Sequence, residues 1–224
     1  MTAPRALLLD LDGTLLDTAP DLAEAANATL AELGRRPLAL GTLRDFVGKG
    51  IAHLVRRALE WDAAGPADEA LFEAACARFA DHYARLNGAA SRPFDGVLDG
   101  LAEMRSMGLR LACVTNKVAR FTDPLLETSG VRSYFDTVVT SDQAGARKPD
   151  PAIFLEACRR LGVLPGEACV IGDSANDAEG ARAAGCRFLL VPYGYREGRE
   201  LREIQSDGIV ATLREAAKRL TIPT

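Results

Sequence analysis

The chain has little of what marks several large classes of protein. Its 224 residues include one tryptophan and two histidines, and neither histidine stands in a metal-binding pair such as H-E-x-x-H. Lys plus Arg totals 27 and Asp plus Glu totals 31, which gives a net charge of −4. We therefore predict no basic surface for nucleic acid and no polybasic anchor for a lipid bilayer.

Long hydrophobic runs and paired cysteines are missing as well. No apolar run approaches the roughly 18 residues of a membrane span, and residues 1–5 do not resemble a secretory signal. The five cysteines are odd in number, widely spread and without a C-x-x-C pair, which excludes a disulfide scaffold and indicates reduced thiols in the core. These absences predict a globular, cytoplasmic protein that binds neither nucleic acid nor membrane.

The second half of the chain repeats one pattern: an amphipathic helix, a glycine and then a short apolar run. Such runs occupy 109–114, 169–171 and 187–191, and they are nearly unbroken rather than alternating. Unbroken apolar runs are typical of strands covered on both faces, and a glycine is a common helix stop. The alternation predicts an α/β fold, a doubly wound parallel sheet of Rossmann-like type.

Residues 17–91 break this pattern, because they contain three helical stripes of apolar residues and no convincing strand. We expect an all-helical cap domain over 17–91, inserted into a catalytic core formed by 1–16 and 92–224. Asp21, directly after a proline, is expected to assist the start of the first helix.

Polar side chains follow the apolar runs, at the edge where ligands bind in open parallel sheets. A buried carboxylate is costly without a compensating cation, and oxygen ligands without nearby His or Cys favour Mg²⁺ over Zn²⁺. The pattern therefore predicts a magnesium site at this edge. The carboxylates that call for the metal are Asp10, Asp12, Asp173 and Asp177, and Thr115, Asn116 and Lys148 lie at the same edge.

Mg²⁺, a lysine and a hydroxyl together are typical of sites that handle a phosphoryl group. No Ser or Cys has a histidine nearby in the sequence to activate it, whereas an aspartate is already ionised at pH 7. Asp10, at the end of the first strand, is the better-placed nucleophile. Asp12, two residues further on, is expected to act as the general acid and base.

Four segments resemble, in the same order, the four motifs of the haloacid dehalogenase-like superfamily of phosphohydrolases. They are Asp10-Leu-Asp-Gly-Thr-Leu-Leu-Asp17, Val114-Thr-Asn116, Lys148-Pro149 and Gly172-Asp-Ser-Ala-Asn-Asp177. The resemblance covers the whole chain, including a helical cap just after the first motif. A true dehalogenase of this superfamily lacks the second aspartate, so Asp12 argues against that activity.

The resemblance implies a role for each residue. Asp10 would be the nucleophile, Asp12 the acid and base, and Thr115 and Lys148 would hold the phosphoryl group. The Mg²⁺ ligands would be Asp10, Asp173 and the backbone carbonyl of Asp12, with Asn116 and Asp177 in support. Helix stabilisation alone is an equally weighted interpretation of Asp177.

Two further segments, 46–51 and 192–195, resemble those of bacterial phosphoglycolate phosphatases. The favoured substrate is accordingly 2-phosphoglycolate, a small-molecule phosphate ester, and a monomer or homodimer is expected. Lys49, between two glycines, is a candidate for binding the substrate carboxylate, although it could equally be a surface lysine.

Three alternatives remain open from the sequence. The substrate could be a sugar phosphate, including N-acetylmuramate 6-phosphate, or a nucleotide. The enzyme could be a phosphotransferase or mutase of the same superfamily. A non-catalytic receiver-type phosphoacceptor domain is disfavoured, because it needs neither Asp12 nor a helical cap.

Overall fold

The computed structural model describes residues 3–61 and 65–221, and its centre is a six-stranded parallel sheet. In chain order the strands are β1 (Ala6–Leu9), β2 (Leu16–Asp17), β3 (Arg92–Pro93), β4 (Arg110–Thr115), β5 (Thr137–Thr140), β6 (Ala168–Gly172), β7 (Arg187–Leu190) and β8 (Gly208–Ile209). The sheet has the order β5-β4-β1-β6-β7-β8, while β2 and β3 form a separate antiparallel pair.

Helices connect these strands and cover both faces of the large sheet. In chain order they are α1 (Ala19–Glu32), α2 (Leu40–Arg44), α3 (Ile51–Glu60), α4 (Glu69–Leu86), α5 (Val97–Ser106), α6 (Ala119–Thr128), α7 (Ser141–Ala144), α8 (Ala152–Leu161), α9 (Ala175–Ala184) and α10 (Leu213–Thr221). Within the two described stretches, no helix is both long enough and apolar enough to cross a membrane.

The central strand β1 shows why the apolar runs are unbroken. Leu7 and Leu9 join the core cluster that includes residues of α5 and α10, whereas Leu8 joins the cluster under α8 and α9. All three side chains are fully buried, because alternate residues of a strand face opposite sides of the sheet and helices cover both sides. The predicted α/β class and doubly wound parallel sheet are confirmed.

The helices α1 to α4 form an apolar cluster of their own between β2 and β3. Phe46, Phe79 and Tyr83 are fully buried within it, and α1 packs along α4. The chain leaves the sheet through β2 and returns through β3, where Leu16 pairs with Pro93. Among the described residues of 17–91, the expectation of no strand fails only at Asp17, because the two crossings lie side by side and pair.

Asp21 lies in the first turn of α1, and its side chain contacts the chain where it returns to the sheet. Its buried carboxylate accepts hydrogen bonds from the backbone N–H groups of Gly88 (2.9 Å), Ala90 (2.7 Å) and Ser91 (3.1 Å), and from the Ser91 hydroxyl (2.5 Å). The side chain therefore anchors the returning chain to α1, because the loop after α4 offers three unpaired backbone donors. Asp21 lies in the first turn of α1 as expected, and its anchoring contacts to the returning chain are a second function that was not predicted.

Candidate active site

The strand register brings the predicted residues to one edge of the sheet. Leu9 of β1 pairs with Cys113 of β4 on one side and with Ile171 of β6 on the other. The side chains that follow these strands are therefore neighbours. Carboxylate oxygens of Asp10, Asp173 and Asp177 all lie within 4.8 Å of one another, and all three residues are buried.

Lys148 lies among these carboxylates. Its Nζ is 2.5 Å from Oδ1 of Asp10 and 2.7 Å from Oδ1 of Asp177, and its side chain is 3% exposed. The Asn116 side chain holds the lysine backbone, since its Oδ1 accepts from the Lys148 N–H (2.7 Å) and its Nδ2 donates to the Lys148 carbonyl (3.1 Å). Asn116 thus fixes the backbone of Lys148, and its side chain donates no hydrogen bond to the three aspartates.

The acidic cluster, Asp10, Asp173 and Asp177, carries more negative charge than Lys148 can neutralise. Burial, opposed by Lys148, raises the pKa of Asp10 to about 7. Burial and then repulsion from Asp10 and Asp177 raise the pKa of Asp173 well above its usual value. Burial disfavours the charge of Lys148, but the attraction of two carboxylates outweighs it and raises the pKa of the lysine. The cluster therefore has the oxygen ligands and the surplus charge to hold a divalent cation.

Asp177 contacts both Lys148 and the start of α9. One oxygen, Oδ1, contacts Lys148, while Oδ2 accepts from the backbone N–H (3.2 Å) and the hydroxyl (2.6 Å) of Ser174. The Ser174 hydroxyl in turn accepts from the Asp177 N–H, so the two residues form a capping box at the start of α9. The same carboxylate stabilises a helix and fixes a lysine.

Asp173 is held by Thr14 and Tyr195, which lie in segments that carry the family resemblance but were not predicted to contact it. Its Oδ1 accepts from the Thr14 hydroxyl (2.8 Å) and its Oδ2 from the backbone N–H of Tyr195 (2.5 Å). The Tyr195 hydroxyl also contacts Oδ1 of Asp17 (2.5 Å) and the N–H of Ala19 (3.0 Å). Tyr195 therefore joins the acidic cluster to the point where the chain leaves the sheet.

Gly13 permits the sharp turn between Asp10 and Thr14. Its φ is +90°, a conformation that side chains rarely adopt, and a Cβ atom there would lie 2.4 Å from Oδ2 of Asp173. The glycine is thus required both by the backbone conformation and by the close approach of Asp173.

Asp12 lies apart from the acidic cluster and has different partners. Its Oδ1 accepts from the Thr18 hydroxyl (2.6 Å) and lies 2.9 Å from Nζ of Lys117. Both partners contact the same oxygen, so Oδ2 is available for proton exchange with a ligand. Asp10 and Asp12 thus have separate partners, and the roles expected of them stay predictions.

Lys117 is the main site residue that the sequence did not single out. Its side chain is 4% exposed, and its Nζ donates to the hydroxyl of Tyr83 on α4 (2.9 Å) as well as contacting Asp12. Because it directly follows Thr115 and Asn116 at the end of β4, its sequence position could have predicted that it lies at the same sheet edge. The contact with Tyr83, 34 residues earlier in the chain, could not be predicted from local spacing.

A cavity opens between the sheet edge and the helical segment, α1 to α4. Its polar wall includes Thr115, whose Oγ1 accepts from the Lys117 N–H (3.1 Å), and Asn116, whose Nδ2 also donates to the Gly48 carbonyl (2.9 Å). The full lining is Asp10, Asp12, Leu22, Val47, Gly48, Gly50, Ile51, Leu54, Thr115, Asn116 and Lys117.

Lys49 is not part of this lining, although both of its neighbours are. Its Nζ lies 2.5 Å from Oε2 of Glu197, and its side chain is 42% exposed. The structure therefore brings together the other predicted residues but turns Lys49 towards the loop after β7.

Comparisons with known proteins agree with this geometry. The family model of haloacid dehalogenase-like hydrolases matches residues 4–185. A phosphoglycolate phosphatase of Thiobacillus denitrificans is 47% identical over 217 residues, which cover 97% of this chain and 96% of that protein.

Solved structures resemble this chain over nearly its whole length. The crystal structure of a predicted phosphoglycolate phosphatase from Haemophilus somnus has a TM-score of 0.92 at 28% identity, with 98% of this chain and 99% of that chain covered. The structure of CbbY from Rhodobacter sphaeroides in complex with phosphate has a TM-score of 0.78 at 26% identity, with 95% and 96% covered.

The family resemblance and the prediction of a phosphoric monoester hydrolase are confirmed. The agreement extends well beyond the four short motifs, since the relatives match over nearly the whole of both chains. The chain therefore belongs to the haloacid dehalogenase-like hydrolases.

Proposed function

We propose that this protein is a Mg²⁺-dependent phosphatase that hydrolyses 2-phosphoglycolate to glycolate and phosphate through an aspartyl-phosphate. The observation that carries the proposal is the pairing of Asp10 with Lys148 at the end of β1, beside a cavity that Asp12 also lines. The substrate is supported by relatives named phosphoglycolate phosphatase.

The metal would be bound by Asp10, Asp173 and the backbone carbonyl of Asp12. Asp177 would support it through Lys148. The fit rests on charge, because the acidic cluster has three carboxylates against one lysine and two of its pKa values are raised by burial. Bound Mg²⁺ would neutralise phosphoryl oxygens and the surplus carboxylate charge.

In the first step, a carboxylate oxygen of Asp10 attacks phosphorus, and the bond between phosphorus and the ester oxygen breaks. Asp12 gives a proton to that departing oxygen through its free Oδ2, which releases glycolate. Lys148 and Thr115 would hold the phosphoryl oxygens, since both are buried beside Asp10: Thr115 ends β4, the neighbour of β1, and Lys148 contacts Asp10 directly.

In the second step, Asp12 takes a proton from water, and the resulting hydroxide attacks the phosphorus of the aspartyl-phosphate. The bond to the Asp10 oxygen breaks, which releases phosphate and restores the carboxylate. Each proton that Asp12 gives in the first step is regained in the second, so the enzyme is unchanged after one turnover.

We also propose that residues 17–91 act as a cap domain that excludes water during the first step. The helical segment has its own apolar cluster, and it supplies the apolar wall of the cavity through Leu22, Val47 and Leu54. A small substrate fits this arrangement, because polar groups are confined to the opposite wall. The cytoplasmic location remains a prediction from the cysteine pattern.

The direct test is release of inorganic phosphate from 2-phosphoglycolate, sugar phosphates and nucleotides, with Mg²⁺ and with EDTA. We expect the highest kcat/KM for 2-phosphoglycolate and no turnover in EDTA, with recovery on adding Mg²⁺. A higher kcat/KM for a sugar phosphate or nucleotide would overturn the proposed substrate. Transfer of phosphate to a second hydroxyl instead of water would indicate a phosphotransferase or mutase.

A further inference from the structure

This inference rests on the proposed function. The short length of 2-phosphoglycolate restricts where its carboxylate can bind in the site. Only one carbon separates the ester oxygen from the carboxyl carbon, so the carboxylate oxygens lie about 3 Å from the ester oxygen. Asp12 must contact that ester oxygen to protonate it. A cation that binds the carboxylate must therefore lie next to Asp12.

Lys117 is in that position. Its Nζ is 2.9 Å from Oδ1 of Asp12, and it lines the cavity that Asp10 and Asp12 share. Among the described residues that line this cavity, Lys117 has the only positively charged side chain. Lys49 is directed away from it and pairs with Glu197.

We propose that Lys117 binds the carboxylate of the substrate and thereby determines the preference for 2-phosphoglycolate over esters without a carboxylate. An ammonium group has three N–H donors. One is directed to Asp12 and one to Tyr83 (2.9 Å), which leaves the third for a ligand in the cavity. The contact is a charge-assisted hydrogen bond in a site that is largely removed from water.

Tyr83 is the positioning residue for Lys117. Its fully buried ring is stacked near Phe79 and packs edge-on against Phe121, with ring centroids 5.7 and 5.0 Å away. Burial raises the pKa of Tyr83 to about 12, so its hydroxyl stays neutral and does not compete with the substrate carboxylate for the charge of Lys117. Because Tyr83 belongs to α4, one of the two contacts that orient the lysine comes from the helical segment, and the other comes from Asp12.

The test compares 2-phosphoglycolate with ethyl phosphate, which has the same alkyl ester linkage without the carboxylate. The readout is the ratio of the two kcat/KM values. Lys117→Met should lower this ratio about 30-fold, the effect of losing one charge-assisted contact. Any disturbance of Asp12 affects both alkyl esters alike and cancels in the ratio.

Two further variants make the test decisive. Lys117→Gln keeps a hydrogen-bond donor beside Asp12 and Tyr83, so it guards against a folding defect in the methionine variant. It should lower the ratio by a similar factor. Lys49→Met is the matched control, because it removes a lysine that does not line the cavity, and its ratio should stay within about threefold of the unmodified protein's.

The possible results separate this proposal from the proposed function. If the unmodified protein does not prefer 2-phosphoglycolate to ethyl phosphate, the proposed substrate is wrong. If it has the preference and Lys117→Gln keeps it, the substrate stands and the role of Lys117 is overturned. A fall of the ratio in Lys49→Met but not in the Lys117 variants would assign the carboxylate to Lys49 instead.

Discussion

The two walls of the cavity are built in different ways. On the sheet side, Asp10, Thr115 and Asp173 follow or end neighbouring parallel strands, so strand register alone places them together. On the helical side, the lining is mostly apolar, and the polar contact to Lys117 comes from Tyr83 on α4. The residues proposed for the reaction thus lie in local motifs at strand ends, whereas the contact proposed to select the substrate joins distant segments.

The largest effect should come from the sheet side, at Asp10. Asp10→Asn removes the proposed nucleophile, so kcat should fall by about 10³-fold or more. Folding should survive, because one of three clustered negative charges is removed. Phosphate release and thermal unfolding measure the two effects, and the exposed Asp99→Asn is the control. A variant that keeps a tenth of the activity would show that another group attacks phosphorus.

Asp12 tests whether the two aspartates have separate roles. Asp12→Ala should still permit attack on an aryl phosphate, which has a good leaving group, but hydrolysis of the aspartyl-phosphate should slow by about 10²-fold. Rapid-quench measurements should then show a stoichiometric burst followed by slow turnover. If no burst forms, Asp12 is needed for the attack itself.

The acidic cluster predicts how stability depends on pH when no metal is bound. The pKa of Asp10 is about 7 in the folded protein against 3.8 as its ordinary value. Between these values the folded state holds a proton that the unfolded state has lost, so stability falls as the pH rises from about 4 to 7. Thermal unfolding in EDTA should show a fall of about 5 °C or more over this range.

Added Mg²⁺ should reduce this fall, because the cation favours the charged carboxylates. Asp10→Asn should also reduce it in EDTA, since the titrating group is gone. A fall of the same size in all three samples would mean that groups other than Asp10 cause it.

The smallest effect belongs to the helical side. Tyr83→Phe removes the hydroxyl that orients Lys117 and keeps the ring, so kcat/KM for 2-phosphoglycolate should fall about threefold and that for ethyl phosphate less. Tyr134→Phe, in the 3-10 turn Arg132–Tyr134, is the matched control without a contact to Lys117. Equal losses for both substrates in Tyr83→Phe would show that the hydroxyl serves docking of α4 alone.

The same contrast explains what could be predicted from the sequence. Asp10, Asp173 and Asp177 were predictable, because each follows an apolar run and parallel strands end at the same edge. Lys49 was expected near the substrate from its flanking glycines, but its partner Glu197 lies 148 residues away.

Lys117 was not predicted as a site residue, because the contacts that bury it come from other segments of the chain. A lysine at a strand end is an ordinary surface residue unless a carboxylate and a hydroxyl from other segments bury it, and Asp12 and Tyr83 do so here. The contacts of Asp21 were unpredictable for the same reason, since its partners lie in the returning loop 67 to 70 residues later. Contacts of this range are properties of the packed chain rather than of any motif.

The contacts of Tyr195 have a consequence for chimeric proteins. Helical segments could be exchanged between relatives at the paired strands β2 and β3, where only two crossings join the segment to the sheet. Such a graft would carry Asp17 and Ala19, which both meet the Tyr195 hydroxyl, while the backbone of Tyr195 holds Asp173. A transplanted segment must therefore match the loop after β7 of its host, or the acidic cluster itself would be displaced.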